Sequence, residues 1–400
     1  MRHAGSADLP LLNGHVPKWL AERMSKLGGA ITEAILLEFG KKAFIRRMSD
    51  PAWFQSLGCV LGMDWHSSGI TTSVMGALKA AINPRAKELG IYVCGGRGKH
   101  SRKTPEELLR VGDKTGLDGD SLVRSSRLVA KVDSTAIQDG FQIYLHSFIV
   151  SDEGDWSVVQ QGMNGDSGYA RRYHWSSTDL KSYIDDPHQF IYGKNQGDIL
   201  NLTDKNAKEA RGSILSLSKE HPVKMIEEIR KIRLPAHHDV RQKDVDLKRL
   251  GAILAISNEL PIDQFEELLL VKGLGPRTLQ SLALVSEVIY GTTSRFKDPA
   301  RFSFAHGGKD GHPFPVPTQV YDESISVLKT AVEKAKIGNT DKLRALNSLT
   351  NASQRMEKDF NPSGNLDDLI EKERKDSWKY GGRTVNGFAK KPKLIQGTLF

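Results

Sequence analysis

Apolar residues recur at three- and four-residue spacing through Trp19–Leu37 and Gly69–Ile82, which predicts helices across residues 1–90. The pattern then changes. Ile91–Cys94, Arg127–Ile137, Phe141–Val150 and Trp156–Met163 are short, β-branched or alternating, and are separated by turn residues, as strands are. Helical spacing returns over 180–290 and again over Asp322–Leu349, and the chain becomes polar and charged from Asn361, with a flexible tail expected from about Lys375. The fold class that follows is α+β: a β-rich meander with flanking helices in the N-terminal half and an α-helical C-terminal half. Three units are expected: 1–178, 179–350 and a charged tail, 351–400. The sequence holds no internal repeat.

The turns predict how the strands line up. Asp139-Gly140 between two alternating runs is a two-residue hairpin signal. Counting back from it places Asp133 opposite His146. The loop Ser151–Asp155, closed symmetrically about Glu153, places His146 opposite Gln160. Directly opposed residues share a face, so Asp133, His146 and Gln160 are expected in one row with Lys131 nearby. The other face would hold Ala130, Val132, Leu145, Ile149 and Val159. A carboxylate, an imidazole and an amide oxygen can hold Mg²⁺ or Mn²⁺ or position a water; the same row also serves as a hydrogen-bonded polar sheet face. A slip of one residue in either hairpin would break it.

Composition narrows the classes. Lys and Arg number 57 against 48 Asp and Glu, a net charge of +9, which permits a polyanionic partner. Cys59 and Cys94 are too few for a disulfide framework or a four-thiolate zinc site. The N-terminus lacks the apolar core of a secretion signal, and no apolar run approaches the roughly 20 residues of a membrane span. A cytoplasmic protein that does not enter a membrane is expected.

The most specific local signal lies at 261–291. An amphipathic helix over Pro261–Val271, then Lys272-Gly273-Leu274-Gly275-Pro276, then a helix over Arg277–Ile289 resembles the helix-hairpin-helix motif. Two glycines permit a tight turn and let backbone N–H groups approach a phosphate. The second helix start adds unsatisfied N–H groups and the positive dipole end. Lys272, Arg277 and the Thr278 hydroxyl would supply charge and a further donor, and Leu274 would plug the turn into the helix pair. The plain alternative is a glycine that merely ends a helix. Leu279 stands where motif members carry a small residue.

Other clusters carry less. Gly95–Lys103 is a glycine-rich basic loop without the Gly-Lys-Ser/Thr ending of a nucleotide loop, so Arg97, Lys99 and Arg102 read as phosphate contacts. Ala170–Trp175 alternates cations and aromatics, and Arg171 and Arg172 suit a single strand or an edge strand equally. Asp64 and His66 precede a helix start and suit an anion or metal, or a simple cap. His306, Lys309 and Asp310 form a possible second site for base excision. The ending Gln396-Gly397-Thr398-Leu399-Phe400 resembles the short peptides that dock sliding clamps, with Gln396, Leu399 and Phe400 as anchors.

The chain resembles a bacterial and archaeal family classed as a domain of unknown function, number seven-six-three. The likeness rests on His3-Ala4-Gly5, Asp64–Gly69, Gln138-Asp139-Gly140, Gln160–Met163 and His306–Gly311; it implies a cellular DNA-binding protein and no particular reaction. The expectation from the residues is a DNA-processing enzyme, a metal-dependent nuclease of repair or replication. In it Asp133, Asp64 and His146 bind the ion, with Gln160, His66 and Lys131 beside it. Single-stranded or branched DNA is its expected substrate. The alternatives are a non-catalytic adaptor recruited by a sliding clamp and a base-excision glycosylase or lyase.

Overall fold

The computed structural model describes residues 9–10, 16–63, 69–167, 169–193, 195–221, 247–300, 318–357, 383–384 and 387–388. The chain opens with β1 (Leu9–Pro10), α1 (Lys18–Met48, kinked at Gly40), α2 (Pro51–Val60), α3 (Gly69–Ile82) and α4 (Ala86–Leu89). Next come β2 (Ile91–Arg97), α5 (Thr104–Thr115), α6 (Gly119–Lys131) and β3 (Ile137–Gln138). The strands β4 (Gln142–Ser151), β5 (Trp156–Asn164), β6 (Tyr169–Ser176), β7 (Phe190–Tyr192) and β8 (Asp198–Asn201) follow. The C-terminal part holds α7 (Lys208–Ser218), α8 (Leu247–Glu259), α9 (Phe265–Leu270), α10 (Pro276–Tyr290) and β9 (Arg295–Lys297). It ends with α11 (Thr318–Lys334), α12 (Asn339–Glu357), β10 (Arg383–Thr384) and β11 (Gly387–Phe388). The protein is α+β.

Local chemistry sets several of these boundaries. Asp50 caps α2 by accepting from Ala52 N at 2.7 Å and Trp53 N at 3.1 Å, with Pro51 supplying the first helical φ. Asp118 caps α6 through Ser121 N at 3.0 Å. Gln264 and Glu267 form a reciprocal capping box at the start of α9. That helix is shorter than the pattern suggested, beginning at Phe265 rather than Pro261.

A six-stranded antiparallel sheet carries the molecule, in the order β1-β6-β5-β4-β2 with β7 also on β6. One face packs Phe148, Val158 and Trp175 against Val129 and Val132 and on to Leu254, Leu268, Leu274 and Leu282 of the C-terminal helices. The other packs Ile149 and Val159 against Ile35, Phe54 and Val74 of α1–α3, with Leu328 and Leu349 of α11 and α12 added to that layer. Neither core stops at residue 178. A second sheet, β3-β8-β9, links the two halves of the sequence.

The β4–β5 register pairs His146 with Gln160, as symmetric closure about Glu153 requires. The strand expected at Arg127–Ile137 is instead the end of α6 followed by one wide π-helical turn, Val132–Ala136. Asp139-Gly140 is no hairpin either: β3 pairs with β8 while β4 pairs with β2 and β5. Gly140 (φ +80°) bends the chain from one sheet to the other. Both faces of the large sheet are covered by helices, so its polar row is not solvated.

Candidate nucleic-acid interface

Asp133, His146 and Gln160 do meet, although Asp133 arrives from a helix end rather than a strand. All three are buried, with Asp133 and Gln160 wholly excluded from solvent. Ser126 of α6 donates to His146 Nε2 at 2.8 Å, and His146 Nδ1 donates to Gln160 Oε1 at 2.6 Å. Gln160 Nε2 then donates to Asp133 Oδ2, which also accepts from Trp175 Nε1 at 3.0 Å. His188 Nε2 donates to Asp133 Oδ1. Each group in this chain uses its donor toward the next acceptor. Burial lowers the pKa of His146 from its ordinary value, which agrees with a neutral ring carrying its proton on Nδ1.

This arrangement completes itself. Both oxygens of Asp133 and both ring nitrogens of His146 are engaged, so the row presents no shared open position to an ion. Among the described residues no group of three or more His, Cys, Asp or Glu side chains is placed to hold a metal. Lys131 does not join the row: its ammonium donates to the carbonyl of Leu274 in the α9–α10 turn.

The cation-aromatic run on β6 also turns inward. Arg171 and Arg172 are completely buried, and neither faces a nucleic acid. Arg171 binds Asp139 at 2.9 Å and Asp298 at 2.9 Å, and lies 4.6 Å over the Phe141 ring. Tyr173 donates to the same Asp139 at 2.5 Å. Burial pulls the Arg171 pKa down, but Asp139 and Asp298 more than reverse this, for a net rise. Burial also pushes the Asp139 carboxyl up against the pull of Arg171. Arg172 donates through Nε to His174 Nε2 at 2.8 Å and lies over Phe54. The sequence pattern concealed this because an alternating strand between two covered faces buries both of its sides.

Two polar regions remain at the surface. In the turn between α9 and α10, Leu274 is 1% exposed and packs into the core, while Lys272, Gly273, Pro276 and Arg277 are exposed. Gly273 (φ +93°) makes the tight turn, and a Cβ there would press on Ile253 at 3.1 Å. Gly275 is half-buried and immediately precedes the 15-residue α10. Lys272 and Arg277 form no ion pair among the described residues. Thr278, however, is buried, so its hydroxyl is not at the surface.

The second region is the turn Gly98–Lys103. Arg97, Lys99, His100, Arg102 and Lys103 are all exposed. The turn is fixed from beneath, where Glu107 accepts from Gly95 N at 2.6 Å and binds Lys79 at 2.7 Å. Gly95 (φ +84°) has no room for a Cβ, which would sit 2.2 Å from the His146 carbonyl oxygen.

A family model matches residues 5–316. The chain belongs to DUF763, described as a protein of unknown function. No curated protein and no solved structure matches it. In this DUF763 chain several expected site residues lie outside the described residues: Asp64 and His66, the loop residues His306, Lys309 and Asp310, and the terminal Gln396, Leu399 and Phe400. Sequence reasoning missed Ser126, Trp175 and His188 as partners in the buried chain, and Asp298 as a partner of Arg171. No helix among the described residues is long and apolar enough to cross a membrane.

Proposed function

We propose that this DUF763 chain binds the phosphate backbone of DNA without sequence preference, using the α9–α10 turn as a helix-hairpin-helix clamp. The observation that carries this reading is the turn's division of labour. Leu274 anchors it in the core, while Lys272 and Arg277 stand in solvent on either side with no ion pair among the described residues. The first N–H groups of α10 have no acceptor within the helix, and its dipole places positive potential beside them. Contacts of this kind grip phosphates and read no bases. The exposed Arg97, Lys99 and Arg102 would add long-range attraction. A DNA partner makes the cytoplasm the expected location. The ending Gln396–Phe400 fits the same reading as a tether to a sliding clamp, and its deletion should abolish clamp pull-down and spare DNA affinity.

A cleavage centre on Asp133, His146 and Gln160 gains nothing from this geometry, because a buried and satisfied carboxylate has no face left for an ion or a scissile phosphate. The reading is therefore one of binding. Fluorescence anisotropy on labelled DNA across a salt series tests it. Lys272→Ala combined with Arg277→Ala should lower the slope of log K against log salt by about 1.8, the loss of two phosphate contacts. Wild-type protein with no salt-sensitive affinity for any polynucleotide would end the proposal, and DNA fragments formed with Mg²⁺ or Mn²⁺ would replace binding with catalysis.

A further inference from the structure

Helix α6 lies beside the proposed clamp, and its outer side is cationic after the first turn. Asp120, Arg124, Arg127 and Lys131 follow one another at four-, three- and four-residue steps, so they share one side of the helix. Two of them fix that side against the clamp. Arg124 reaches Glu266 of α9 at 3.4 Å, and the Lys131 ammonium donates to the carbonyl of Leu274, in the middle of the turn. Arg127 sits between them, exposed and with no ion pair among the described residues. The axial step from Arg127 to Lys131 is about 6 Å. Four positive groups, Arg127, Lys131, Lys272 and Arg277, therefore lie on α6 and the turn it is bonded to.

We infer that α6 forms a second side of the backbone site, with Arg127 and Lys131 as phosphate contacts, and that the substrate is duplex DNA. This rests on the clamp reading above and goes beyond it in naming the contact and the strand state. The argument for a duplex comes from where the aromatics lie. A groove for single strands combines cations with exposed rings on which bases stack. Here Tyr173 and Trp175, the rings the sequence offered for that role, are wholly buried. Among the described residues the exposed rings lie elsewhere. Trp19 and Phe39 are on α1, against the opposite face of the sheet, and Tyr290 ends α10 about 20 Å from Pro276. The half-buried Tyr183 beside α6 already has its ring stacked on Trp156 and its hydroxyl donating to Ser125 Oγ at 2.7 Å. The surface beside the turn is therefore mainly one of charges held on fixed helices, which suits the dense phosphates of two paired strands.

A cation in the last turns of a helix also complements the helix dipole, so the test must separate binding from folding. The full-length protein is titrated by anisotropy against a labelled duplex and against one strand of the same sequence, from low to moderate salt. Arg127→Ala should lower the duplex salt slope by about 0.9, so that between 50 and 200 mM salt it loses about 3.5-fold less affinity than wild type. Its urea midpoint should not move. Lys131→Met should act in the same direction, and Lys131→Arg should keep the wild-type slope. The inference is overturned if Arg127→Ala binds with wild-type affinity and slope, or if the single strand binds more tightly than the duplex. The clamp reading survives either result as long as the Lys272/Arg277 double variant is weakened; if that double variant binds like wild type, the clamp fails on its own account.

Discussion

Two polar regions of this chain are built from similar residues and face opposite ways. Around Asp133, a carboxylate, two imidazoles, an amide, an indole and a hydroxyl are packed between α6 and the sheet, each hydrogen-bonded to the next. Around Leu274, lysine and arginine stand in water on a turn that Val271 and Leu274 anchor in the core. A saturated network has no capacity left for a ligand and acts on folding. An unsaturated one has little to give to folding and retains its capacity for a partner. Residue type alone does not distinguish the two. What decides is whether the donors and acceptors are already used.

Replacing Asp133 tests the inward region most severely. Asp133→Leu leaves the Trp175 indole, the His188 ring and one N–H of the Gln160 amide without their acceptor, the amide keeping only its longer bond to the Val129 carbonyl at 3.3 Å. At about 1–3 kcal/mol for each orphaned group, the loss of stability should be on the order of 5 kcal/mol. Urea unfolding measures it. Under the proposed binding role, the folded fraction should bind DNA as wild type does, since Asp133 is no part of the proposed clamp. If Asp133→Leu unfolds at the wild-type midpoint but abolishes a DNA-dependent activity, the assignment of this network to structure is wrong.

Arg171 comes next. It is paired with Asp139 and Asp298 at once, and all three groups are out of solvent. Arg171→Met removes the cation and leaves two buried carboxylates facing each other, at a cost of about 3–5 kcal/mol. Asp298 also accepts from Gln196 N at 2.9 Å and Ala300 N at 2.9 Å, so the segment after β9 should loosen with it. Hydrogen exchange at those amides would report this. Protection unchanged from wild type would show that backbone contacts, not Arg171, hold the segment.

How much of this could be read in the sequence depends on range. The β4–β5 register was legible because one short loop about Glu153 fixes it. The Gly273-Leu274-Gly275 turn was legible because its conformational needs are local. Helix α6 was not, and the reason is specific. Its buried stripe runs through Leu122, Ser125, Ser126, Val129 and Val132, and the two serines read as polar, which breaks the helical period. The remaining Leu128–Val132 segment then imitates an alternating strand. The one usable signal was Asp118, three residues before the Ser121 N–H it caps. Asp133 and Gln160 were thus paired correctly through an incorrect geometry. His188 and Asp298 lie 55 and 127 residues from the groups they bind, and no local pattern encodes a partner at that distance.

The smallest expected effect concerns His174, which shows the inward region acting through protons. Its Nε2 accepts from Arg172 at 2.8 Å and its Nδ1 donates to the Met48 carbonyl at 3.3 Å, so the ring is neutral in the fold. Burial, and then the neighbouring Arg172 charge, hold its pKa well below the ordinary 6.5. Above pH 6.5 the ring is neutral in both folded and unfolded chains and contributes no slope. Below it, the unfolded chain takes up a proton that the folded chain refuses, so stability falls with pH by about 1.4 kcal/mol per unit until the folded value is reached. His146 adds a term of the same sign. Asp139, whose folded pKa is raised above 3.8, adds one of the opposite sign. The difference between wild type and His174→Gln isolates the His174 term, because a glutamine takes up no proton. Urea midpoints from pH 8 to pH 5 should diverge below pH 6.5, with wild type falling faster. If the two curves stay parallel, His174 titrates as it would in water and the layer between β6 and α2 is open to solvent, which would return Arg172 to the set of groups able to meet a phosphate.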